Sequence, residues 1–557
     1  MVTPKSIAEA TYDRPYGPRT QSRSVLFASN GIVATSHPLA SQTGLNVLKE
    51  GGNAFDAAIA ANAMLGLVEP MSCGIGGDLF ALCWDAENHE LHGLNASGRS
   101  PFSLSRDLFA RNGFDQIPLY GPLSWSVPGC VDGWILLLER FGTRSLGDVL
   151  APAIEYAESG FPVAEMIAGY WSFAEEWLTG WKSTAMTYLP RGRAPKCGEI
   201  FRNPHLATSY RKIAREGRDG FYRGSIAERI VAFSRRNGGY FDMRDFEEHT
   251  SEWVKPVSTD YRGYTVWELP PNGQGIAVLQ MLNILESFDM ASMGHNSAEL
   301  LHLLIEAKKL AFADRAIFYA DPAFGRLPIE ELISKKYAER RQSRISPDRA
   351  AVDVPAGDPK LSHGDTIYLT VVDKDRNCCS LTQSIYHGFG SRVVPSDTGF
   401  ALQNRGNLFV LDDTHPNRLE PHKRPFHTII PGFVTRGGLP YFCFGVMGGD
   451  MQPQGQVQVL LNLIDFGMNT QAAGDAARLC HFGSQTPTGL AMVEGGGSVG
   501  IETGIPAESV EGLLRRGHRL IHSPGSFGGY QGILIDWENG VLHGATEPRK
   551  DGAAVGY

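Results

Sequence analysis

The stretch Asp365-Thr366-Ile367-Tyr368-Leu369-Thr370-Val371-Val372-Asp373 restricts this chain more than any other. From Thr366 onward it is a run of β-branched and aromatic residues with partial alternation, the pattern of a strand. Lys374-Asp375-Arg376-Asn377 is a polar turn, and Cys378 to Ser384 reads as the returning strand. The segment before it, Ser346 to Asp365, is rich in Pro, Asp, Ala and Gly and reads as an exposed loop, where chain nicking concentrates. A threonine therefore stands where a linker meets a buried strand. On local grounds it is first of all a strand former. The position also permits chemistry. A threonine hydroxyl needs an adjacent base to act as a nucleophile. If the 365–366 bond opens, the freed α-amine of Thr366, with an ordinary pKa of roughly 7.7–8.0, lies beside its own hydroxyl and can take that proton.

The 557 residues suffice for a large core and, by length, for two to four domains. Apolar content of 42% and charged content of 20% are ordinary for a globular protein. A net charge of −9, with Lys and Arg scattered, excludes a nucleic-acid partner held by counterion release. No run approaches the roughly 20 apolar residues of a membrane span. Met1 to Arg23 lacks the apolar core of a secretory signal, so a cytoplasmic location is expected. The eight cysteines form no Cys-x-x-Cys pair. Free buried thiols are expected, with Cys378 and Cys379 on opposite sheet faces and no metal centre.

In chain order, Gly31 to Ala34 reads as a strand, and Leu39 to Lys49 and Ala54 to Val68 as helices, the second buried. Met71 to Gly77 is a glycine loop, followed by a hairpin from Leu79 to Trp84 and Glu90 to Leu94. Helices dominate Val131 to Glu216, and Ile226 to Asn237 is another. Val254 to Glu268 is strand, turn, strand, turning at Arg262-Gly263. Ala277 to Glu286 and Ala298 to Phe318 read as helices, the latter amphipathic, with His302 a surface or packed histidine rather than a ligand. A charged helix, Ile329 to Arg344, leads into the linker. Beyond Thr366 the strand candidates are His427 to Val434, Tyr441 to Val446, Tyr530 to Trp537 and Val541 to Gly544. The helices there are Gln454 to Phe466, Thr470 to Arg478 and Ala507 to Arg516. A helix-rich first part and a strand-rich second part lack regular βαβ alternation, which implies an α+β or layered α/β class.

The Thr366 stretch occurs with Gly31-Ile-Val-Ala-Thr-Ser-His-Pro-Leu-Ala40, Gly51-Gly-Asn-Ala-Phe-Asp-Ala-Ala58, Gly74-Ile-Gly-Gly77, Tyr261-Arg-Gly-Tyr264, Ala311-Phe-Ala-Asp-Arg315 and Met447-Gly-Gly449. This ordered set, spanning about residue 25 to the end, resembles the γ-glutamyltransferase family, N-terminal-nucleophile hydrolases that cleave themselves before a threonine. The resemblance implies an α+β fold, a four-layer αββα sandwich. It also implies an arm over residues 1–24, a large fragment over 25–365 and a small fragment over 366–557. The two fragments form one interleaved domain, a heterodimer cut from one precursor between Asp365 and Thr366. By the same resemblance Thr366 is the nucleophile, Ser384 supplies a second hydroxyl, and the backbone N–H groups of Gly448 and Gly449 form the oxyanion hole. No cofactor is implied.

The substrate-reading positions depart from the γ-glutamyl pattern. The arginine that holds the glutamyl α-carboxylate falls on Ser97, with Arg99 displaced by two residues; a neighbouring asparagine becomes Tyr386; an aspartate that binds the α-amino group becomes Leu408; and a Ser-Ser pair becomes His427-Thr428. Gln403-Asn404-Arg405-Gly406 introduces an arginine whose fork suits a carboxylate. With His415-Pro-Asn417 and Lys423-Arg-Pro-Phe-His-Thr428, this resembles the oxamate amidohydrolase branch. The expected function is thus hydrolysis of a small carboxylate-bearing amide. The alternatives are a γ-glutamyltranspeptidase or glutathione hydrolase, and an inactive member acting as a binding protein. Two literal motifs in one tract, Gly495-Gly-Gly497-Ser-Val-Gly500 as G-x-G-x-x-G and Gly496-Gly-Ser498-Val-Gly500 as G-x-S-x-G, lack the following helix that either function requires.

Overall fold

The computed structural model describes residues 21–354 and 365–557, with Asp365 by its backbone alone. Residues 1–20 of the expected arm and 355–364 of the expected loop lie outside the described residues. Where the chain enters the structure it is docked: Ser22 N and Oγ donate to Asp475 Oδ2 at 2.6 and 2.8 Å.

Two seven-stranded antiparallel sheets make the middle of the molecule. The first has the order Ala553–Gly556, Ile32–Thr35, Asp365–Val372, Cys378–Tyr386, Asp78–Asp85, Glu90–Ala96, Glu252–Val254. The second runs Leu26–Ala28, Val541–Thr546, Gly529–Asp536, Leu439–Met447, Gly432–Arg436, Tyr264–Glu268, Val257–Tyr261. Each sheet takes strands from both sides of residue 365.

Three apolar cores separate four layers. Ile32, Phe80, Leu82, Phe433, Cys443 and Ile533 pack between the sheets. Helices Pro38–Lys49 and Ala54–Val68 cover the first sheet, and Ile276–Leu285, Ala298–Phe318 and Met451–Ile464 cover the second. The fold is the expected αββα sandwich. Burying both faces of each sheet explains why its strands read as nearly continuous apolar runs.

Local chemistry fixed many elements where the sequence placed them. Asn53 and Asp56 close a capping box that starts the helix at Ala54. Arg262 and Gly263, at φ 53° and 82°, make the turn between Val257–Tyr261 and Tyr264–Glu268. Strand pleating sends Cys378 into the inter-sheet core and Cys379 toward the helices.

Three expectations are corrected. Ala298–Phe318 is buried almost all round rather than amphipathic. Helix Ala507–Arg515 packs on it, and His302 Nε2 and Lys309 Nζ reach the carbonyls of Ser346 and Ala351. The charged helix divides into Ile329–Leu332 and Lys335–Gln342, because Ser334 caps a new start through the Tyr337 N–H. The strand expected from His427 begins only at Gly432, because the Ile430 N–H bonds to the Gln452 side chain instead of a neighbouring strand. As the sequence implied, the glycines 495–497 are followed by strand Ser498–Ile501 and not by the helix that either literal motif requires. No described helix is long and apolar enough to cross a membrane.

Candidate active site

The strand of Thr366 crosses the facing sheet in a register that the contacts define. Thr370 Oγ1 lies 2.8 Å from Cys443 Sγ. The Tyr368 ring fills the space beside Gly445, where a Cβ would come within 2.5 Å of it. Each step of two residues toward Thr366 moves the facing strand two residues toward its end. Thr366 therefore lies further toward the end of strand Leu439–Met447, which Gly448-Gly449 directly follow.

Thr366 is buried, and its Oγ1 lies 3.4 Å from Ser384 Oγ. A bulge brings the two together. Asp365 pairs with Tyr386 and Ile367 with Gln383, so Ser384 and Ile385 both face Thr366. Ser384 Oγ also accepts from the Tyr386 N–H at 2.8 Å. Tyr386 itself sits at φ 81°, a strained backbone for a side chain of this size.

Gly448 and Gly449 have φ of 116° and 55°, a geometry that favours glycine. The Gly449 carbonyl accepts from Gln274 Nε2 at 3.0 Å and from the Gln452 N–H at 3.2 Å. Among the described residues neither glycine N–H meets an acceptor. Behind the pair lies the fully buried Arg315. Its guanidinium grips Asp450 in a fork at 2.6 and 3.0 Å and donates to Gln274 Oε1 at 2.5 Å. The turn is thus held from behind by an ion pair whose arginine is buried and whose aspartate is partly exposed.

Asp78 organises the other side. It accepts from the N–H groups of Gly98 and Gly129, from Gln403 Nε2 at 2.8 Å and from His427 Nε2 at 3.0 Å. Burial, with the neighbouring Arg405 cation, pushes His427 down to about 4, so its ring is neutral at pH 7. The next residue, Thr428, accepts from Arg405 Nη1 at 2.7 Å. Arg405 is wholly buried. Burial lowers it to about 10, which still leaves it charged at neutral pH. Its guanidinium lies 4.6 Å from the Tyr386 ring centre, and among the described residues its Nε and Nη2 have no acceptor.

The structure therefore brings Thr366 and Ser384 together, and gathers Tyr386, Arg405, His427, Thr428 and Gln403 around Asp78. Asn404 holds the wall of this group, its Oδ1 accepting from the His387 N–H and its Nδ2 donating to the Leu119 carbonyl. Ser97 is buried in a network with Asn95 and Asn272. Arg99 turns away and bonds to the Thr250 carbonyl and Glu252, which it shares with Arg424. Sequence reasoning did not single out Asp78, Gln274, Arg315 or Asp450. Asp78 and Asp450 each directly follow a Gly-Gly pair, which could have drawn attention to them.

The neutral burial of His427, and of His37, which burial also lowers to about 4, has a measurable result. Between pH 6.5 and about 4 these rings are protonated in the unfolded chain but not in the folded one. Stability is therefore present above 6.5 and is lost as pH falls toward 4. The thermal midpoint should drop through this window, and His427→Asn should flatten the slope. A midpoint independent of pH between 6.5 and 4.5 would contradict it.

Comparison with known proteins agrees with the geometry. A family model described as Gamma-glutamyltranspeptidase matches residues 40–557. The chain is 41% identical over 530 residues to a Glutathione hydrolase-like YwrD proenzyme of Bacillus subtilis, covering 94% of this chain and 98% of that one. It is 34% identical over 538 residues to an Oxamate amidohydrolase proenzyme of Klebsiella pneumoniae, covering 95% and 99%. A crystal structure of cephalosporin acylase from Bacillus halodurans superposes with a TM-score of 0.89 at 43% identity, covering 98% of each chain.

Proposed function

Because the chain belongs to the γ-glutamyltranspeptidase family of N-terminal-nucleophile hydrolases, we propose that it is a precursor that cuts itself before Thr366 and then hydrolyses a small carboxylate-bearing amide, as an oxamate amidohydrolase does. In processing, Thr366 Oγ attacks the Asp365 carbonyl. The acyl group passes from nitrogen to oxygen, which breaks the 365–366 C–N bond and frees the Thr366 α-amine, and water then cleaves the ester, releasing the Asp365 carboxylate and the Thr366 hydroxyl. In turnover that amine accepts the hydroxyl proton while Oγ attacks the substrate carbonyl. The oxyanion forms toward the Gly448 and Gly449 N–H groups, which are without acceptors among the described residues. Ammonia or an amine departs with the proton, and water, activated by the same amine, releases the acid. Each step uses the chain's own groups. The two fragments stay together as a heterodimer because both sheets interleave strands from each.

The carboxylate reading rests on one observation, the unfilled fork of Arg405. A buried cation with two unsatisfied donors is costly, and a carboxylate would satisfy both. A γ-glutamyl substrate also carries an ammonium group, for which the apolar, buried Leu408 offers nothing.

The test is a side-by-side assay of oxamate, a γ-glutamyl anilide and glutathione. Oxamate should be preferred, and Arg405→Lys should lower its kcat/KM by about 10²-fold, since a point charge cannot reproduce the fork. Preference for the γ-glutamyl compounds, or an Arg405→Ala protein as fast as the parent, would overturn this specificity.

A further inference from the structure

Hydrolysis of an amide changes the charge that a site must hold. The amide end of the substrate is neutral, and the same end of the product is a carboxylate. Oxamate and water give oxalate and ammonium, so the acid enters with one negative charge and leaves with two. The Arg405 fork answers the first of these charges. Asp78 stands on the side of the second.

Asp78 is fully buried and is the direct cross-strand partner of Ser384. Side chains paired in this way lie on one face of the sheet, with Cβ atoms about 4.5–5.5 Å apart. Ser384 Oγ is 3.4 Å from Thr366 Oγ1, so Asp78 shares the face on which a substrate carbonyl meets the nucleophile.

The four polar partners of Asp78 all donate. Its Oδ1 accepts from the N–H groups of Gly98 and Gly129 at 2.9 and 3.1 Å and from Gln403 Nε2 at 2.8 Å. The fourth is His427, whose Nδ1 accepts from the Ile429 N–H at 3.3 Å, so the ring proton is on Nε2, 3.0 Å from Asp78 Oδ2. An acid proton on Asp78 would meet no acceptor among these partners, so the group is a carboxylate. Four donors also fill its lone pairs, leaving none for a substrate ammonium. What a ligand meets is its charge. Burial lowers Arg405, and the Asp78 carboxylate is the first charge that opposes this. The free site thus balances one cation against one anion. Substrate makes it singly negative, and product makes it doubly negative.

Resting on the carboxylate reading above, we propose that Asp78 sets the charge the site tolerates, admitting a monoanionic amide on Arg405 and expelling the dianionic acid made from it. The product's new carboxylate forms at Thr366, facing a buried like charge, while the compensating positive charge leaves with the amine. At about 6 Å and the effective dielectric of a protein site, such repulsion weakens binding by about tenfold or more. Asp78 is thus a specificity-determining residue that limits product inhibition.

The experiment uses the self-processed protein, with oxamate as substrate and oxalate as competing inhibitor. Asp78→Asn keeps an oxygen for Gly98, Gly129 and Gln403 and removes the charge, and His427 adjusts by moving its proton to Nδ1. The ratio of the oxalate inhibition constant to the oxamate KM should then fall by about tenfold or more. Asp78→Glu retains the charge and should retain the ratio. An unchanged ratio in Asp78→Asn, or an equal fall in Asp78→Glu, overturns the proposal, since a merely structural role would not depend on charge. If Asp78→Asn does not yield the two processed fragments, the parent protein decides. Lactate, a monoanion of similar size, should inhibit it more tightly than oxalate, and the reverse order overturns the proposal. The two readings fail separately. If Arg405→Lys leaves both the oxamate KM and oxalate inhibition unchanged, the carboxylate assignment falls. If Arg405→Lys weakens both while Asp78→Asn leaves their ratio unchanged, only the role of Asp78 falls.

Discussion

A Thr366→Ala chain is expected to run as one band of the full 557 residues on a denaturing gel, and to lose turnover by at least about 10³-fold. The parent protein should show two bands, the smaller beginning at Thr366 by N-terminal sequencing. Both losses share a cause. Alanine removes the hydroxyl that attacks the 365–366 carbonyl, and without that cut there is no free α-amine to serve as base. Thr366→Ser keeps a hydroxyl at the position beside Ser384 and should retain cleavage, which separates loss of chemistry from loss of fold. Turnover by an uncut chain would sink the proposal, since a peptide nitrogen cannot take the proton.

The second large effect is expected at Arg315, which touches no substrate. Arg315→Met keeps an unbranched apolar stem against the Phe312 ring, over which the guanidinium now lies at 3.7 Å. It also strips Asp450 and Gln274 of their shared donor. Breaking a fully buried ion pair from one side costs about 3–5 kcal/mol, and the partial exposure of Asp450 sets the loss here at the lower end or below. The thermal midpoint of the uncut Thr366→Ala chain should fall accordingly when the substitution is added. Because Gln274 holds the Gly449 carbonyl, kcat should fall more than KM rises. The double variant Arg315→Met with Asp450→Asn should lose clearly less than the sum of the single losses, the mark of residues acting together. Additive losses would show that the pair does not hold the glycine turn.

The elements legible in the sequence were those set by neighbours within a few residues. Asn53 and Asp56 cap their own helix, Arg262-Gly263 makes its own turn, and alternation alone sent Cys378 and Cys379 to opposite faces. The misread elements are those whose backbone or outer face is satisfied from elsewhere. His427 to Pro431 had the composition of a strand but bonds to side chains and loops. The Ala298–Phe318 helix carries Glu306, Lys308 and Lys309, which look solvated in sequence. They are buried because Glu306 pairs with Lys309, and His481 and Ser484 receive Lys308.

By its order of residues alone the chain determined its family, its layered class and the threonine at the linker's end. Those follow from periodicity and from blocks of adjacent residues. Tertiary structure alone decided that, among the described residues, two donors of Arg405 are left without acceptors while Arg99 is paired with Glu252, and that Asp78 meets His427 across 349 positions of chain. Burial and partnership are properties of the packed layers. No stretch of sequence contains them, because the groups that pair in the site come from strands, turns and helices that meet only after both sheets have closed.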